Sequence, residues 1–202
     1  MGKTTKIISI LIGVIIACII GIYAFFTSTY NGMVREEEEV KSAWAQVENV
    51  YQRRLDLIPN LVETVKGYAK HESEVLESVV QARSKAGGVV NISEDVLDNP
   101  ETFERFQKAQ SELSSSLQRL LAVTEAYPGL KANENFLSLQ SQLEGSENRI
   151  TVEKKRYNEA CENYNSRIRM FPGSIVANMS GFKPKAYFQA DSVAKDAPKV
   201  SF

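Results

Sequence analysis

The chain has 202 residues, with 24 Lys+Arg against 25 Asp+Glu, one His and two Cys. A net charge of −1 lacks the basic excess that nucleic-acid binding draws on, two cysteines are too few for a disulfide scaffold, and one His excludes a His-rich metal site. These averages describe an ordinary soluble domain, but they conceal an uneven distribution along the chain.

Residues 1–6 form a short stub carrying Lys3 and Lys6. Residues 7–26 read IISILIGVIIACIIGIYAFF, with no charge and only Ser9, Gly13 and Gly21 outside the apolar set. Twenty helical residues span about 30 Å, the thickness of a bilayer's hydrocarbon core. A secretory signal usually has a shorter apolar core and a small-x-small cleavage site, whereas this stretch ends in Tyr23-Ala24-Phe25-Phe26. Ile15-Ile16-Ala17-Cys18 loosely resembles a lipoprotein cleavage box, but cleavage there would leave an apolar N-terminus where a polar linker is expected. A retained single-pass transmembrane helix is therefore expected. The two lysines before it place the N-terminus in the cytoplasm and everything after Tyr30 outside.

Past a polar break at residues 27–32, helical periodicity dominates. A first stripe runs Val40, Trp44, Val47, Tyr51, Arg54, Ile58, Leu61, Val65, Tyr68, Glu72, Val75 and Val79 until Gly87-Gly88, the start of a connector ending at Asn99-Pro100. A second helix over about 101–127 presents Phe103, Phe106, Gln110, Leu113, Leu117, Leu120, Thr124 and Tyr127, and ends at Pro128-Gly129. A third, over about 132–171, presents Phe136, Leu139, Leu143, Glu147, Ile150, Lys154, Tyr157, Cys161, Tyr164, Ile168 and Phe171, and closes at Pro172-Gly173. From Lys183 the sequence reads as a largely flexible tail to 202. No turn-bounded alternation of β-branched residues suggests a sheet.

The fold class is thus all-α: one N-terminal transmembrane helix (7–26) and an antiparallel up-and-down helical bundle over 30–182. It has three long helices, the first bent or broken at Pro59, or four if Pro59 makes a turn. Pro59 cannot donate to the Leu55 carbonyl and its ring crowds it. The stripe keeps phase across Pro59, which favours one bent helix. The matching lengths of the two halves suit a four-helix bundle instead.

Several segments resemble the LemA family of bacterial membrane proteins: Tyr30-Asn31, AWAQVENVYQRRLDLIPNLVETVKGYAKHE at 43–72, LLAVTEAYPGLKANENFLSLQSQLEGSENRI at 120–150 and RYNEACENYNSRIRMFPGSIVA at 156–177. The similarity runs from about 30 to 188 and departs from the pattern in the acidic run Glu36–Glu39. The resemblance implies a membrane-tethered antiparallel bundle without established enzymatic activity. Members often accompany a membrane zinc peptidase or another envelope partner.

Two motifs stand out as a structural or partner surface. They are Arg53, Arg54, Asp56, Pro59 and Asn60 on the first helix, and Tyr127, Pro128, Lys131 and Asn133 at the second turn. Counting residues along antiparallel first and second helices sets the Tyr127 turn against Arg53–Asn60, with Asp56 near Lys131. The same count puts Glu147 level with residue 73, so Arg54 is expected to use the Tyr127 turn or water. Glu72, Glu147 and Lys154 are charges on the seam, setting register or lining a groove. Tyr157-Asn158 and Tyr164-Asn165 repeat at seven residues, as core rings with bridging amides.

Catalytic patterns are incomplete. His71-Glu72 begins a metalloprotease-like motif, but Val75 stands where the second His belongs. Cys161 lies on the inner stripe, which argues against a Cys/His nucleophile, and Gly2-Lys3-Thr4 lacks the rest of a phosphate loop. No enzyme activity, cofactor or metal is expected, and no nucleic acid. The sequence points to a scaffold or adaptor of the cell envelope acting through protein–protein contacts, with a homo-oligomer as one form. The alternatives are a regulatory subunit of a membrane protease and an envelope ligand or stress sensor.

Overall fold

The computed structural model describes residues 2–90 and 95–189. Seven helices follow in order: α1 (Lys3–Tyr68), α2 (Ser73–Val90), α3 (Asp95–Asp98), α4 (Pro100–Thr124), α5 (Pro128–Lys131), α6 (Glu134–Arg169) and α7 (Gly173–Ser180). Among the described residues there is no strand.

The first helix runs unbroken for 66 residues, about 100 Å at 1.5 Å per residue. It is the one described helix long and apolar enough to cross a membrane. From Lys6 to Ala24 it is exposed on every side, and only at Phe25 does it begin to border the rest of the fold. An apolar cylinder with no protein cover has lipid as its natural solvent. From Met33 onward the same helix turns one face inward, burying Val40, Trp44, Val47, Tyr51, Arg54, Ile58, Leu61 and Val65.

The helix does not break at Pro59, whose ring faces solvent. The Leu55 carbonyl, left without its Pro59 donor, accepts from Arg83 Nε of α2 at 2.9 Å. A neighbouring helix thus supplies the hydrogen bond that proline cannot. The chain reverses at Ala69–Glu72 instead, and α2 folds back along α1. The bundle is therefore four-helical in its outer part, with the break ten residues later than the one Pro59 suggested. Gly87 and Gly88, expected to stop the helix, lie inside α2. Ala86 is fully buried and Gly87 lies over Leu55, so packing outweighs the roughly 1 kcal/mol helix penalty of each glycine.

α1 and α4 ascend, α2 and α6 descend. Asn99 caps α4, accepting from the Glu101 and Thr102 amides at 3.0 and 3.3 Å, with Pro100 as first helical residue. Asn133 caps α6 through the Phe136 amide at 3.0 Å. After α6 the chain turns at Phe171-Pro172 into α7, which lies beside residues 29–33 of α1 near the membrane segment. Gly181, at φ +78°, ends α7 in the left-handed region, and the Phe182 amide reaches back to the Ala177 carbonyl. That reversal aims Phe182 at Tyr30 and Tyr164 and starts an extended strap, residues 182–189, back up the bundle.

Two hydrophobic clusters result. The membrane-proximal one is aromatic, with Trp44, Tyr51, Phe103, Phe106, Tyr157 and Phe188 among α1, α4, α6 and the strap. The distal one is mainly aliphatic, built by Leu55, Ile58, Leu61, Val65, Leu76, Val79, Leu113, Leu117, Leu120 and Leu143 of α1, α2, α4 and α6. Lys183–Gln189 pack on the bundle where the sequence suggested a flexible tail; 190–202 lie outside the described residues.

Candidate functional site

Polar groups on the inward faces gather at three levels. Midway up the bundle, Arg54 is 1% exposed and sits between the two hydrophobic clusters. Its guanidinium donates to Glu147 Oε1 at 2.5 Å, Gln110 Oε1 at 2.6 Å and Ser114 Oγ at 2.9 Å, and lies over the Tyr51 ring at 5.1 Å. One buried cation thus joins three helices. Because the guanidinium's donors form a rigid fork, the arrangement fixes the register of α1 against α4 and α6. A polar cleft of about 150 Å³ opens beside it, walled by Gln107, Ser111 and Thr151. The pairing corrects the expected use of the Tyr127 turn or water by Arg54. The level count failed because α2 was hidden inside the first stripe: α1 and α4 run parallel, and Glu147 faces Arg54 rather than residue 73.

At the distal corner the same correction relocates the second motif. The Tyr127 turn meets Tyr68–Glu72, not Arg53–Asn60. Tyr127 donates its hydroxyl to Glu72 Oε1 at 3.1 Å, which, with partial desolvation, pushes the phenol above its ordinary pKa. Asn133 Nδ2 donates to the Tyr68 hydroxyl at 3.0 Å, so one side chain caps α6 and ties it to the end of α1. Pro128 is the first residue of α5, whose Leu130 is fully buried. Asp56 does not reach Lys131. It accepts from Gln52 at 2.8 Å, while Lys131 pairs with Glu125 at 2.6 Å. Arg53, Pro59 and Asn60 are exposed on the outer face of α1.

Near the membrane, the Tyr-Asn repeat receives the strap. Asn165 accepts from the Lys185 amide and donates to its carbonyl, both at 2.8 Å. Asn158 does the same to Phe188, at 2.9 and 3.0 Å. Seven helical residues advance about 10.5 Å and three extended residues about 10 Å, so asparagines seven apart on α6 meet backbone groups three residues apart on the strap. Tyr157 donates to the Ala186 carbonyl at 3.0 Å, and Lys154 lies 5.0 Å over the Phe188 ring. Tyr164 packs its ring on Phe182. Lys185 is 5% exposed and bridges Asp98 of α3 to Glu37 of α1, the latter at 2.9 Å. Burial pulls its pKa down, but the bonds to Asp98 and Glu37 more than offset that and leave it above the ordinary lysine value. The acidic run at Glu36–Glu39 is thereby placed: Glu37 holds Lys185, Glu36 accepts from Arg167 at 2.8 Å and Glu38 from Lys41 at 2.8 Å.

Arg83, Ser114, Asp98, Lys185 and Phe188 were absent from the sequence-level candidates. The signal for the last two was the asparagine pair at 158 and 165, whose amides bridge to the strap rather than to another helix.

These groups suit structure and recognition more than bond-making. Burial pushes the Cys161 thiol up to about 11 and raises the Tyr157 phenol as well, so neither is ionised at neutral pH. Among the described residues no three His, Cys, Asp or Glu side chains are placed to hold a metal ion.

Residues 43–202 match the model of the LemA family. The chain is 25% identical over 202 residues to Magnetosome protein MamQ 2 of Paramagnetospirillum magneticum (strain AMB-1), covering 91% of this chain and 72% of that protein. It is 27% identical over 177 residues to Protein LemA of Metamycoplasma hominis, covering 87% of this chain and 76% of that protein. Against Magnetosome protein MamQ of Magnetospirillum gryphiswaldense the identity is 23% over 205 residues.

Proposed function

As the chain belongs to the LemA family of membrane-associated proteins, we propose that it is a non-enzymatic scaffold or adaptor of the bacterial cell envelope, anchored by α1 with its N-terminus in the cytoplasm and its bundle outside. The observation that carries this reading is the continuity of α1. The segment that would cross the bilayer and the segment that organises the bundle are one helix without a linker. A tether built for free reach would be flexible; a rigid post instead presents a fixed surface at a fixed height. That surface carries both signs of charge, as in the exposed pairs Lys41–Glu38, Lys66–Glu63 and Lys155–Glu159. Its partners are other envelope proteins, a membrane zinc peptidase among them, or further copies of the chain.

Crosslinking in native membranes followed by mass spectrometry tests the reading. A scaffold gives recurrent crosslinks from the bundle's outer faces to envelope proteins or between copies. One dominant membrane protease would convert the reading to a regulatory subunit, and crosslinks confined within single chains would overturn both. Alkaline phosphatase fused after Phe202 should be active; a fusion active only as a cytoplasmic reporter would reverse the orientation.

A further inference from the structure

The turn between α6 and α7 is the least protein-like surface of the bundle. Phe171, expected on the inner stripe of the third helix, is 81% exposed. Met170, Ile175 and Met179 are 65%, 52% and 73% exposed around it. Met170–Phe182 contains no charged residue at all, in a chain where 24% are charged, yet Arg167, Arg169 and Lys183 flank it on both sides. The buried side of α7, Val176 and Ala177, docks on the bundle, so its exposed apolar side is a second face rather than a misplaced core.

The position of this corner identifies what covers it. Phe171 and Pro172 share a cleft with Phe25 and Thr29, and an added Cβ on Gly173 would come within 3.1 Å of the Met33 side chain. Phe25 belongs to the last turn of the uncharged span. The corner therefore stands level with the end of the membrane segment and beside it, continuous with a surface that lipid already covers. Aromatic and long apolar side chains rimmed by Arg and Lys are the chemistry of the interfacial layer, with rings among the headgroups and cations at the lipid phosphates.

We infer that the α6–α7 corner is a second membrane contact: Phe171, Met170, Ile175 and Met179 insert into the interfacial layer of the leaflet that the span leaves, with Arg169 and Lys183 against anionic headgroups. The bundle is then held to the bilayer at two points instead of one, which fixes its tilt and its rotation about α1. This rests on the reading of 7–26 as a retained span.

The test uses the full chain in phospholipid nanodiscs containing anionic lipid, with lipids brominated either high or low on the acyl chain as quenchers, so that both the interfacial layer and the bilayer centre are sampled. Trp44 is the single native tryptophan, is buried, and lies about 27 Å beyond Phe26 along α1, so its emission supplies an unquenched baseline. Phe171→Trp and, independently, Met179→Trp add emission that is blue-shifted and that brominated lipid quenches about twofold or more. Leu137→Trp, at a half-exposed apolar position of the distal corner, adds emission that brominated lipid leaves unchanged. Ile15→Trp reports on the span itself. Quenching at 15 with none at 171 and 179 overturns the second contact alone. No quenching at 15 overturns the span and with it this inference. Shielding at 171 without lipid quenching, accompanied by crosslinks between copies, would assign the corner to a second chain and also overturn it.

Discussion

The two halves of the bundle solve the same packing problem with different material. In the distal half the fourth position beside α1, α4 and α6 is filled by a helix, α2, and the core is mainly Leu, Ile and Val. In the proximal half α2 has ended, and Lys183–Gln189, an extended strap far narrower than a helix, lies along α6 with Phe188 in the core, while α3 adds Val96 and Leu97. The space the strap leaves is filled by large rings. Trp44, Phe103, Phe106 and Tyr157 crowd around Phe188, with centroids 4.9 to 6.4 Å away. Backbone satisfaction differs in the same way. A helix answers its own amides, whereas a lone strand must borrow partners, and Asn158 and Asn165 provide them. Aromatic side chains and inward amides thus accompany the strap where α2 no longer packs.

Arg54 stands between the halves, and its loss is the strongest way to break the comparison. Arg54→Ala removes bonds to three side chains and leaves a cavity, costing about 4 kcal/mol. Thermal unfolding in nanodiscs should fall in one step, with amide exchange rising in both halves together; loss confined to one half would show that Arg54 does not couple them.

Truncations inside each half sharpen the contrast. Leu113→Ala should cost about 3 kcal/mol and expose amides of α2 and α4 throughout the distal half. Phe188→Ala should cost about 2 kcal/mol, less than a buried phenylalanine usually does, because the strap can leave and limit the loss. Its signature is a red shift of Trp44 emission with distal exchange unchanged. Global unfolding of equal size from both would erase the distinction.

Alkaline pH probes the strap more gently. Lys185 has a folded pKa above 10.5. The folded state thus holds the proton more tightly than the unfolded one, and this contribution is complete below about pH 10 and lost as pH rises through the folded value. Trp44 emission should shift as the pH rises through that folded value, and the step should vanish in Lys185→Met. A step of the same size in the variant would assign it to another group.

The smallest effect lies at the distal corner. A double-mutant cycle between Tyr127 and Glu72 should show a favourable, non-additive coupling. The same cycle between Asp56 and Lys131 should be additive within about 0.3 kcal/mol, since each bonds elsewhere.

The inward faces were readable from periodicity because burial repeats with the helical turn. Val40 through Val65 on α1, Phe103 through Thr124 on α4 and Leu143 through Ile168 on α6 show it. The reversal at Ala69–Glu72 was not readable, since Gly67 is the one weak helix former near it and α2 resumes an apolar spacing that mimics continuity. Reading the stripe from Val40 to Val79 as one bent helix, with no reversal in it, misassigned direction to every later helix, so the partners of Arg54 and Tyr127 came out wrong although both residues were singled out. Pro59 misled for a related reason: its cost depends on whether another helix can bond the Leu55 carbonyl, and Arg83 lies 28 positions away in sequence. The strap was hidden because Lys183–Gln189 has no periodicity of its own; its order comes from α6. Phe171 kept the spacing of the stripe after the helix that gave the stripe meaning had ended.

The unbroken course of α1 imposes an angular phase on the molecule. Each residue of a helix turns about 100°, so the azimuth of Ile7 in the bilayer determines that of Val65 at the far end. With no hinge between them, twisting the span turns the bundle as a key turns its bit. One residue inserted near Ser28 would lift the bundle by only about 1.5 Å yet swing it through about 100°, so neighbours in the membrane would meet a different face of the same protein.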